Sequence, residues 1–111
     1  MKTVKIDNYT CLVGCNASEN WKLLSESNQN YLFFHLSSFP SCYVVLQTAD
    51  EVDLDIVEKV ASLCVQNTRY RNLKSIYVDY TTVKNVAKGD IVGEIYYLSL
   101  RKVKKIRIAN G

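Results

Sequence analysis

Histidine and proline occur once each in this sequence, as His35 and Pro40, and glycine only four times. A single imidazole leaves no His-based metal framework and little material for acid–base chemistry. So few prolines and glycines, beside 48% hydrophobic residues, exclude a disordered or low-complexity chain. No apolar run approaches the ~20 residues of a membrane span. The opening Met1-Lys2-Thr3-Val4-Lys5 lacks the apolar centre of a signal peptide. The expectation is a soluble, cytoplasmic protein with no membrane partner. Nucleophile elbow, phosphate loop and H-E-x-x-H are all missing. Cys11, Cys15, Cys42 and Cys64 form no C-x-x-C and lie far in sequence from His35, so they read as free, buried or half-buried thiols. No metal, no cofactor and no catalytic residue is expected.

What the chain does have is tyrosine, eight in all, and charge sorted by sign. Tyrosine suits half-buried sheet positions and base stacking alike, so its abundance alone decides nothing. Asp50, Glu51, Asp53, Asp55 and Glu58 form an acidic run. Arg101, Lys102, Lys104, Lys105 and Arg107 form a basic one, and Arg69, Arg71 and Lys74 a second basic group. The net charge of +3 hides this separation, which creates local fields of one sign.

At 111 residues the chain fits one domain, 1–111, with a single core. Residues 3–13 read as two short strands about a turn at Asp7-Asn8. Ala17, Trp21 and Leu24, widened by Leu23, mark a helix over 17–26, with Trp21 its main apolar contribution. Strands follow at 31–35 and 42–47, divided by Pro40, which cannot donate to a sheet. Leu54, Val57, Ala61 and Cys64 make the stripe of a helix over 53–67. Its N-terminal acids suit the helix dipole at ~0.3–1 kcal/mol each, a sufficient structural reason for the acidic run. From 73 to 81 Ile76, Val78 and Tyr80 alternate with Tyr77 and Asp79. Segments 91–97 and 102–108 read as a closing hairpin through 98–101. The order implies an α+β fold: a largely antiparallel β-sheet with two α-helices.

The most particular stretch is 13–46. Gly14 stands where an apolar run must turn, Asn16 or Ser18 can cap the next helix, and His35 ends a buried strand. With Val78-Asp79-Tyr80-Thr81, Val83 and Lys84 further on, these residues resemble the NFACT RNA-binding domain. That family occurs in ribosome-quality-control factors and as small stand-alone proteins. Its G-x-N-x-x-x-N falls on Gly14, Asn16 and Asn20, its D-x-W-x-H on Phe33 and His35, and its P-x-S-H-V on Pro40 and Val44. V-D-Y-T-x-V-K, the most specific motif, falls on residues 78–84. Two departures stand out: Tyr43 replaces the His of P-x-S-H-V, and Phe33 replaces the Trp.

The resemblance implies a non-catalytic module that binds structured RNA, tRNA or rRNA, mainly through phosphates. Arg69, Arg71, Lys84, Arg101, Lys102, Lys104 and Lys105 are the candidate backbone contacts, and Asn16, Asn20 and His35 the residues that shape the site. Phosphate contacts distinguish RNA poorly from DNA, so DNA stays open as a ligand. A protein-interaction module docking on a ribosome-associated partner is the competing class. Each residue also has a plain structural role open to it. Capping explains Asn16, edge protection explains the basic last strand, and a lone His at a strand end is usually a hydrogen-bonder.

Overall fold

The computed structural model describes residues 1–109. Asp7 takes a left-handed φ of 51°, which Asp tolerates, and so reverses the chain between strand β1 (Lys2–Ile6) and strand β2 (Tyr9–Val13). Helix α1 (Ala17–Glu26) then leads to β3 (Leu32–Leu36) and β4 (Val44–Leu46). Helix α2 (Leu54–Gln66) precedes β5 (Ser75–Thr82). The remainder holds β6 (Val86–Lys88), β7 (Ile95–Tyr97) and β8 (Lys104–Ala109). Short 3₁₀ turns occupy Val83–Asn85 and Leu100–Lys102. The fold is α+β, with two helices and antiparallel strands throughout.

Six strands form one sheet in the order β1-β2-β4-β3-β5-β8, while β6 and β7 form a separate ribbon. Helix α2 covers one sheet face, burying Val57, Val60, Ala61 and Cys64 against Val13, Phe34, Leu36, Val44, Val78 and Ile108. Helix α1 and the β6–β7 ribbon cover part of the other. There Leu23, Leu24 and Val86 meet Phe33, Tyr43 and Val45. The central strand β4 is therefore buried on both faces. Hydrophobic burial of this kind stabilises by ~25 cal/mol per Å² of apolar surface, and it explains why Val44-Val45-Leu46 shows no alternation.

The expected closing hairpin does not form. Residues Ile95–Tyr97 pair with Val86–Lys88, and β8 pairs with β5 over six residue pairs from Tyr80↔Lys104 to Ser75↔Ala109. That register sets Ile106 and Ile108 beside Val78 and Ile76 on the α2 face, which a local hairpin would have left uncovered. The buried Asn85 enforces the detour: its side chain donates to the Ser99 carbonyl at 2.9 Å and accepts from the Ser99 N–H at 2.8 Å. Trp21 is half-buried and packs against the α1-side core. Its indole N–H reaches out to the Glu94 carbonyl at 2.9 Å and seats the ribbon on α1. All four cysteines are free, but Cys15 is exposed.

Candidate nucleic-acid interface

The motif residues of the sequence converge on a line across the sheet. The Gly14 N–H donates to the Tyr43 carbonyl at 3.0 Å. The ring of Tyr43 lies 5.4 Å from that of His35, edge to face. His35 pairs in register with Asp79, and Asp79 with Lys105. Thus Gly14 just past β2, Tyr43 just before β4, His35 on β3, Asp79 on β5 and Lys105 on β8 follow one another laterally, on the face that α2 does not cover.

Asn16 caps α1: its side-chain oxygen accepts the Glu19 N–H at 2.9 Å, while Glu19 accepts the Cys15 N–H at 2.9 Å. This is a reciprocal cap, which satisfies donors that a helix start leaves open. Asn20 is buried and structural. Its Oδ1 accepts the Tyr43 N–H at 3.1 Å, and its Nδ2 reaches the Ser41 carbonyl at 3.5 Å. A Cβ at Gly14 would stand 2.1 Å from that same Oδ1, so glycine is required for close approach. Gly14 and Asn20 therefore lock α1 onto the end of β2 and the approach to β4.

His35 is stacked near Phe33, with ring centroids 6.2 Å apart, and burial pushes its imidazole below the ordinary value while the Asp79 carboxylate opposes. Asp79 is itself buried and fully engaged. It accepts from Ser37 Oγ at 2.6 Å, Lys105 Nζ at 2.7 Å and the Tyr97 hydroxyl at 3.1 Å. Burial, with the adjacent carboxylate, holds the Tyr97 phenol far up. Such a saturated network fixes geometry. Tyr43, where the family has His, is 1% exposed and donates its hydroxyl to the Gly93 carbonyl at 2.5 Å. Burial raises its phenol to about 12. This side chain anchors the ribbon and presents nothing to a ligand.

Beside this row opens a cleft of about 710 Å³. Asn16, Asn20, His35 and Arg69 all line it, together with Gly14, Pro40 and Gly93. Lys2 lines it as well, its ammonium donating to Asn67 Oδ1 at 2.8 Å. The sequence offered no local signal for Lys2, which arrives through the pairing of β1 with β2. Arg69 lies over the Tyr70 ring at 5.3 Å and donates to its hydroxyl. Arg71 instead donates back to the Thr68 carbonyl at 3.2 Å and does not line the cleft.

The other cations sit elsewhere. Lys84, Arg101 and Lys102 are exposed near the far end of β5, where Thr81 Oγ1 donates to the Lys102 carbonyl. The end of β5 at Thr82 is ~10 Å along the strand from Asp79 in the row, at ~3.3 Å per residue. Lys104 faces the α2 side beside Asp50 and Glu51. Lys105 faces the opposite side and is bound to Asp79. The structure thus brings four of the sequence-derived site residues into the cleft and leaves six outside it, Lys105 at the end of the row beside it. Among the described residues no group of three or more His, Cys, Asp or Glu could hold a metal, and no helix is long and apolar enough to cross a membrane.

The family model for the NFACT protein RNA binding domain matches residues 1–100. None of the curated proteins matches the chain. Among solved structures it is similar to the C-terminal part of the fibronectin/fibrinogen-binding protein from Streptococcus suis, with a TM-score of 0.84 at 24% identity. The likeness covers 98% of this chain and 44% of that one, so this chain spans less than half its length. At that identity the likeness is one of fold.

Proposed function

This chain belongs to the NFACT RNA-binding domain family, and from that premise we propose that it is a non-catalytic module gripping structured RNA, tRNA or rRNA, in the cytoplasm. The observation that carries the reading is the cleft, where Lys2 and Arg69 flank the capped start of α1 and the row from Gly14 to His35. Lysine and arginine attract phosphate without regard to sequence. Lys84, Arg101 and Lys102 supply a second, looser contact with the same backbone.

The test is binding of labelled tRNA at low and moderate salt. Three proteins are compared: wild type, a Lys2→Glu, Arg69→Glu variant and an Arg101→Glu, Lys102→Glu variant. Affinity should fall steeply with salt, and the cleft variant should lose at least tenfold, the other less. A folded wild type that binds no RNA at low salt overturns the reading.

One observation favours a second class. Tyr96, Leu98 and Leu100 project alternately from β7 and its continuation, 56%, 63% and 78% exposed. An apolar stripe of this kind suits a protein partner, on a ribosome-associated factor, whose binding would be insensitive to salt.

A further inference from the structure

On the face opposite α2, the cover given by α1 and the ribbon ends at Asp79, which Tyr97 of the ribbon reaches. One position further out, Tyr77 stands on bare sheet and is 51% exposed. Its direct cross-strand neighbour is Arg107, which is exposed. Diagonally across lies Lys105, and on the other flank the Tyr77 carbonyl accepts the Ser37 N–H at 3.0 Å. Among the described residues neither the Tyr77 ring nor the Arg107 guanidinium has a side-chain partner. Aromatic residues elsewhere in the sheet are placed otherwise. Phe33, Phe34 and Tyr43 are buried, and Tyr80 stacks on Phe34.

We propose that Tyr77, flanked by Arg107 and Lys105, is a stacking platform for an unpaired nucleotide of the RNA, continuous with the cleft. The inference rests on the RNA-binding reading and extends it from phosphate contact to a base. A flat ring half open to solvent offers a π-face to any base, and the neighbouring guanidinium suits the attached phosphate by charge and by its fork of donors. The position fits as well. His35 lines the cleft and pairs with Asp79, two residues along β5 from Tyr77 on the same face. His35 and Tyr77 are thus diagonal neighbours across β3 and β5, ~7–8 Å apart, close to one nucleotide step of an extended strand. A backbone lying in the cleft therefore passes the platform with its next base. Edge protection accounts for Arg107 and Lys105 but gives no reason for an exposed tyrosine between β3 and that edge.

The experiment uses two probes, a short oligoadenylate and a blunt RNA duplex, with wild type and the variants Tyr77→Ala, Tyr77→Phe and Arg69→Glu. Tyr77→Ala should weaken oligoadenylate binding roughly tenfold without altering its salt slope, since no charge is removed. Tyr77→Phe should stay within about twofold of wild type, and the duplex should not register either change. Thermal melts check that the variants are folded, which an exposed position favours. Tyr77→Ala binding oligoadenylate as wild type does, while Arg69→Glu weakens it, overturns the platform and leaves the RNA-binding reading intact. A wild type that binds neither probe overturns both.

Discussion

Around the row from Tyr43 to Asp79 and the Asn20 beside it the polar side chains are buried and partnered, whereas at the far end of β5 Lys84, Arg101 and Lys102 are exposed and form no ion pairs among the described residues. Asn20, Asp79 and Tyr43 each spend their hydrogen-bonding capacity on the protein itself. The loose cations form no ion pair with the protein among the described residues, which on the proposed function leaves them for RNA. The difference separates two jobs that a sequence motif runs together: holding the shape of a cleft, and holding what enters it. Most motif residues do the first.

Substitutions that break this contrast should range widely in effect. Gly14→Ala drives a methyl into Asn20 Oδ1 and should cost about 2–4 kcal/mol in chemical denaturation. The same change made in an Asn20→Ala background should cost clearly less, because the clash and the bond share one atom; additive costs would refute the lock. Asp79→Asn comes next, at about 1–3 kcal/mol, since Tyr97, Ser37 and Lys105 all lose an ionised acceptor. Arg101→Glu with Lys102→Glu sharpens the other side of the comparison. Stability should stay within about 0.5 kcal/mol while RNA affinity becomes less salt-dependent.

The smallest effect is one of pH. The folded protein holds His35 below its ordinary 6.5, so the unfolded chain takes up the proton first as pH falls. Stability from this group is complete above that value and declines as pH drops through it. His35→Gln should flatten that part of the profile of denaturation midpoint against pH, with the carboxylates unchanged as a control.

Both helices were legible from periodicity, α1 from its cap as well, and so was the face of β5 that carries Ile76, Val78 and Tyr80. Local patterning failed where a partner lay far along the chain. Residues Ile95–Tyr97 and Lys104–Ala109 are neighbours in sequence, so a hairpin was the economical guess, but a side chain at Asn85 and an apolar face on β5 reassign both strands. The donors to Asp79 come from Ser37, Tyr97 and Lys105, which no local rule connects. Asn20 was readable in hindsight, because it precedes Leu23 and Leu24 at helical spacing and so falls on the buried stripe. The dispersal of the cations was readable only in part: successive strand residues face opposite sides, so Lys104 and Lys105 must part, but the strand they pair with is set far along the chain.

The amide of Tyr43 has a property that follows from its acceptor. Every strand-to-strand amide nearby is protected by the sheet, but this one donates to a side chain carried on α1. Its exchange with deuterium therefore clocks the lifting of a helix and not the parting of strands. An ordinary exchange experiment would read, at this single residue, how often the wall of the cleft lets go, and whether RNA makes it do so less.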